Sequence, residues 1–142
     1  MKIPNKQDWC VNDLDYDGQY AFKKFYGKTA SQAKAMYREE VVSRVEDLQS
    51  MPSIPFQYYF ISFLEFISEG DFGYFKPNKA IAAQGLLFLV VDKIKNKPNE
   101  INQIWDRVEP LVNQIMAAPE KYDVEDYDFE EISILVHKLS DN

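Results

Sequence analysis

Asp13, Asp15, Asp17 and Gly18 reproduce the opening of a calcium-binding loop. Such a loop sets hard carboxylate oxygens at alternate positions, its glycine permits the sharp turn, and its twelfth residue closes the shell with a bidentate glutamate. Here the twelfth position is Lys24 and the ninth is Ala21, so half the ligand set is missing. On the residues alone, Asp17 is expected to cap a helix opening at Gly18, with Asp13 and Asp15 favouring its positive end. Calcium held by Asp13, Asp15 and Asp17 is the alternative.

The other reactive residue types are isolated. Gly27, Lys28 and Thr29 match the end of a phosphate-binding loop, but Phe22 stands where that pattern needs its first glycine. A helix stop at Gly27 and a helix cap at Thr29 account for both residues. His137, the one histidine, is placed by its helical register away from the apolar face and is expected to be solvated. Cys10, the one cysteine, has no histidine beside it in sequence and is expected to be partly buried and inert. No catalytic, zinc or cofactor set is complete, so a hydrolase built on carboxylates ranks third and a non-enzymatic role first.

Two stretches suit contact with another molecule. Between Gly70 and Pro77 lie Phe72, Tyr74 and Phe75, which either fill a groove between helices or anchor an interface. Farther on, Asp123, Glu125, Asp126, Asp128, Glu130 and Glu131 are interleaved with Tyr122, Tyr127 and Phe129. This run is either a solvated link or an electronegative, aromatic-rich surface suited to a basic protein.

Charge separates these possibilities. The 142 residues carry a formal charge of −7, and residues 120 to 142 hold eight acids against two lysines, leaving the remainder nearly neutral. An acidic end repels phosphate backbones and anionic lipid and attracts basic protein surfaces. A basic protein is therefore the expected partner, with nucleic acid and membrane excluded. With 46% hydrophobic and 15% aromatic residues, the chain can bury about 70% of its unfolded surface as one domain. A lone cysteine forms no internal disulfide, the first residues lack an apolar stretch of signal-peptide length, and Ala80 to Val91 is too short to span a bilayer. These features predict a cytoplasmic protein.

The elements that must position these residues read as helices. Phe56, Tyr59, Phe60, Phe63, Leu64 and Ile67 recur at helical spacing, and Ile61 and Phe66 widen the arc. Only a stripe of Gln57, Ser62, Glu65, Ser68 and Glu69, with the Tyr58 hydroxyl, is left to meet water, so other helices must cover this one on several sides. Residues 1 to 17 read as an extended leader anchored by Trp9 and Val11. A helix follows from Gly18 to Tyr26, and another opens at the Thr29/Gln32 capping box and breaks near Glu40 to Val42. Lys79 to Asn96 and Ile101 to Ala118 form further helices, the latter continuing through Pro110. An acidic link, 120 to 128, leads to a last helix over Phe129 to Leu139. The expectation is an all-α domain of five to seven helices, with the Lys79 and Ile101 helices as the main neighbours of the aromatic one.

The segment AFKKFYGKTASQAKAMY, followed by EDLQSM and FQYYFISFLEFI, resembles small uncharacterised bacterial helical proteins, some of them toxin-immunity candidates. The resemblance spans roughly residues 14 to 67. It implies a compact helical protein that blocks a partner, such as a basic toxin. A small-ligand or calcium-binding helical protein is the alternative.

Overall fold

A computed structural model describes residues 1–140 of the chain, and every regular element among them is helical. There are eight α-helices: α1 (Tyr16–Phe25), α2 (Ala30–Glu39), α3 (Val41–Gln49), α4 (Ser53–Glu69), α5 (Asn78–Asn96), α6 (Pro98–Asn102), α7 (Trp105–Ala117) and α8 (Glu130–Ser140). Short 3-10 turns occupy Val11–Asp13 and Pro119–Tyr122. The expected count of five to seven is exceeded by one: the break at Glu40 is the expected one, and a further break is not. At Glu40 the backbone is extended and the carboxylate caps α3 through the Ser43 amide, so α2 and α3 are separate. A second break at Gln103 and Ile104 divides the expected Ile101 to Ala118 helix into α6 and α7. Pro110 sits inside α7 without ending it.

Local chemistry explains the other ends. Asp15, not Asp17, caps α1: its Oδ1 accepts from the Gly18 amide at 2.7 Å, so the helix opens at Tyr16. Gly27 and Gly70 follow α1 and α4 in the left-handed region that glycine enters without a Cβ penalty. At the start of α2 both bonds of the capping box form, Thr29 with the Gln32 amide at 3.1 Å and Gln32 with the Thr29 amide at 2.9 Å. The leader is not extended, since it folds through turns. Trp9 is fully buried against Phe22 and Tyr59, while Val11 is exposed.

α4 meets α2, α3, α5, α6 and α7, and α2 rather than α5 or α7 is its closest neighbour. The reason is Tyr37. Its ring packs edge-on to Phe63 at 5.0 Å, and its hydroxyl donates to the Tyr59 carbonyl at 2.7 Å. Ser62, expected in water, is buried: its hydroxyl lies 3.0 Å from that of Tyr37 and donates to the Tyr59 carbonyl at 2.6 Å. The Tyr59 hydroxyl in turn reaches the Phe25 and Lys28 carbonyls at 2.8 and 2.9 Å, tying the end of α1 to α4.

A second buried polar knot joins the far end of the bundle. The Lys93 ammonium, 1% exposed, sits 2.9 Å from Glu100 Oε2, donates to the Gln49 carbonyl at 3.2 Å and lies 4.5 Å above the Phe56 ring. Ser53 donates to the other Glu100 oxygen at 3.1 Å. One ammonium thereby gathers α3, α4, α5 and α6.

α3 and α5 approach closely at Gly85, where an added Cβ would meet Val45 Cγ2 at 2.7 Å. Val45 is buried and, being β-branched, swings aside poorly. Gly85→Ala is therefore expected to lower stability by about 1–2 kcal/mol, although helix propensity alone favours alanine by about 1 kcal/mol. Urea unfolding measures the sign, and a stabilised variant would contradict this packing.

Candidate functional site

The three aromatics of the 70 to 77 loop separate in the structure. Phe72 turns inward, half-buried, and stands edge-on to Phe66 at 5.3 Å. Tyr74 is wholly exposed and Phe75 is 62% exposed. Phe72 therefore fills a groove, as the first reading of the loop expects, and Tyr74 and Phe75 are exposed to solvent.

The loop beneath them is fixed at several points. Asp71 pairs with the Arg38 guanidinium at 2.5 Å and accepts from the Gly73 amide at 3.3 Å. Gly73 has a left-handed φ of 78°, and a Cβ there would strike Arg38 Cγ at 2.7 Å, so only glycine lets the loop lie on that side chain. The buried Asn78 carboxamide donates to the Phe72 carbonyl at 2.9 Å and the Arg38 carbonyl at 3.2 Å, joining the loop to the end of α2. Depressions open on both sides of the Arg38 and Asp71 pair. One of about 350 Å³ runs over Lys34 and Phe66, and one of about 560 Å³ lies beside Tyr74 and Glu39. In the first, Lys34 is held between Glu69 at 3.0 Å and Glu65 at 3.8 Å. Its pKa is raised above the ordinary lysine range, first by the hydrogen bond to Glu69.

The acidic link lies along α5, which follows this loop. Lys79, in the first turn of α5, pairs with Asp123 at 3.5 Å. Not all of the run is free to meet a partner, however. Asp128 accepts from the Glu130 amide at 3.0 Å, Glu131 pairs with Lys95, and Tyr122 is buried. Tyr127 is half-buried, its ring 5.0 Å from that of Phe129 and packed on the core. Burial first, then the charges of Glu131 and Asp128, lift the Tyr127 phenol above its ordinary pKa. Glu125 and Asp126 are fully outward members. The spacing of the acids showed none of this division of labour, because it depends on contacts with α5.

The remaining candidates fall apart. Asp15 is committed to its cap, and among the described residues no three histidine, cysteine or acidic side chains gather as metal ligands around Asp13, Asp15 and Asp17 or elsewhere. Cys10 is exposed, not partly buried, and adopts a left-handed φ of 50°. His137 is exposed on α8. No helix among the described residues is long and apolar enough to cross a membrane. No protein-family model, curated protein or solved structure matches the chain.

Sequence reasoning missed the buried charges on α3. Arg44 and Asp47, both largely buried, meet at 2.8 Å between Nε and Oδ2. Burial pushes the Asp47 carboxyl up to about 6, against the opposing charge of Arg44. The folded chain then holds this proton more tightly than the unfolded chain, whose aspartates titrate near pH 4. The stability this carboxyl contributes is complete below about pH 4 and is lost as pH rises to about 6. Urea unfolding of the wild type and Asp47→Asn across that range should show a difference that shifts against the wild type with rising pH and is flat above it. A difference moving the other way would mean that Arg44 outweighs burial.

Proposed function

We propose that the protein is a non-enzymatic binding protein that docks a basic protein through the Tyr74 and Phe75 loop, with the acidic link drawing the partner in. The observation that carries this reading is a fully exposed tyrosine on a loop fixed by Asp71, Gly73, Asn78 and Phe72. Aromatic rings contribute most to binding when little freedom is lost on contact, and a preorganised loop meets that condition. Depressions on either side of Arg38 and Asp71 offer places for the partner's side chains. Covering the working surface of a basic toxin, as immunity proteins do, is the specific form of this role that the sequence resemblance favours.

Charge and ring should act on different rate constants. Long-range attraction speeds encounter and weakens as salt screens it, whereas a desolvated ring slows departure. Reversal of Glu125 and Asp126 to lysine spares the α8 cap and is expected to slow association about tenfold at low salt, with little effect at high salt. Tyr74→Ala should instead speed dissociation, by about tenfold or more. Surface plasmon resonance against the basic partner recovered with the wild type, at two salt concentrations, measures both. Unchanged kinetics in Tyr74→Ala would remove the loop from the interface, and unchanged association in the charge reversal would reduce the acidic link to a solvated connection.

A further inference from the structure

The outward face of α8 shares no residue with the Tyr74 and Phe75 loop or with Glu125 and Asp126. α8 buries Ile132 and Val136 in the core. On its opposite side Glu130, Ile134 and Lys138 stand at i, i+4 and i+8, all exposed, and so form one ridge along the helix. Ile134, at the centre of that ridge, is 51% exposed. The ridge reads acid, apolar, base. No ion pair among the described residues takes up Glu130 or Lys138, whereas Glu131 beside them is held by Lys95 of α5.

The order of these charges says what the face fits. Turned end for end about a two-fold axis through Ile134, the ridge is its own complement: Glu130 of each copy meets Lys138 of the other, and the two Ile134 side chains meet on the axis. With a rise of about 1.5 Å per residue, each charge lies about 6 Å along the helix from the axis, within reach of a glutamate or lysine side chain across a helix pair. An acid at the start and a base at the end also suit the helix macrodipole, but the macrodipole does not call for an isoleucine in water between them. Lys95 shares its face of α5 with Phe88, seven residues before it, and Phe88 is 47% exposed, so the seam between α5 and α8 carries an exposed apolar side chain on each side.

We propose that the outward face of α8 binds a second copy of this chain, as an antiparallel pair of α8 helices centred on Ile134. A uniformly basic or uniformly acidic helix of another protein meets one end of the ridge with like charge, whereas a second copy meets both ends with opposite charge. Parallel copies set Glu130 against Glu130 and Lys138 against Lys138, so the charges select the antiparallel arrangement. One helix of 11 residues with its margin covers less area than a permanent dimer needs, so the pair is weak and forms as concentration rises.

Sedimentation equilibrium of the full chain at physiological salt, from about 10 μM to about 1 mM, is expected to show monomer and dimer in exchange. Ile134→Ser, at a position outside the core, is expected to weaken dimerisation about tenfold or more. Glu130→Lys alone sets lysine against lysine at both contacts, and Lys138→Glu alone sets glutamate against glutamate, so each variant by itself is expected to dimerise about tenfold more weakly. Mixed in equal amounts, the two variants regain opposite charges at both contacts and are expected to form a heterodimer with near wild-type affinity. That rescue is open neither to a variant whose helix has frayed nor to charges that serve the macrodipole alone. A wild type that stays monomeric over the whole range, variants that each dimerise as the wild type does, or a mixture no tighter than its components would overturn the proposal.

Discussion

Three hydroxyls in an aromatic core set the terms for the rest of the fold. Tyr37, Ser62 and Tyr59 are buried among Phe25, Phe63 and Phe66, where an unpaired hydroxyl costs about 1–3 kcal/mol. Each finds a carbonyl or another hydroxyl, and those partners belong to different helices. Non-directional burial would allow α2 and α1 to slide along α4, whereas these bonds fix one register. Burial drives the Tyr37 phenol far above its usual pKa, so it stays a neutral donor at any physiological pH.

The aromatic face of α4 was legible in the sequence because a 3.6-residue period survives in Phe56, Tyr59, Phe60, Phe63, Leu64 and Ile67. So were the Thr29 and Gln32 box, the stop at Gly27 and the break at Glu40, all local features with short-range causes. What could not be read were pairings that local spacing does not encode. Ser62 looks like a solvent residue until Tyr37 comes from 25 positions away to meet it. Lys93 looks like a surface lysine until Gln49, Phe56 and Glu100 surround it. The same limit applies at the candidate face. Phe72, Tyr74 and Phe75 are equal in sequence, and only contact with Phe66 and Asn78 turns one inward.

The buried charges and the exposed rings are linked by rigidity. Lys93 with Glu100 closes one end of the bundle, and Arg38 with Asp71 pins the loop near the end of α2. A buried pair of this kind adds little net stability against well-packed apolar residues, but breaking one leaves an uncompensated charge. Lys93 with Glu100 is such a pair and holds α3, α4, α5 and α6 together, whereas Arg38 and Asp71 are exposed and, with Asn78, tie the loop backbone to the end of α2. The Lys79 and Asp123 pair ties the start of the acidic link to the first turn of α5, just after the loop. In the proposed docking, a ring on a fixed loop and acids set apart from it would let residence and association be tuned separately.

The most direct test is site-specific photocrosslinking in the native cells. A benzophenone amino acid replaces Tyr74 in one sample and Tyr16, a highly exposed tyrosine at 83% on α1, in another. If the loop is the docking face, position 74 yields a discrete adduct with a basic protein and position 16 does not. No adduct at 74, equal adducts at both positions, or an acidic protein captured at 74 would contradict it.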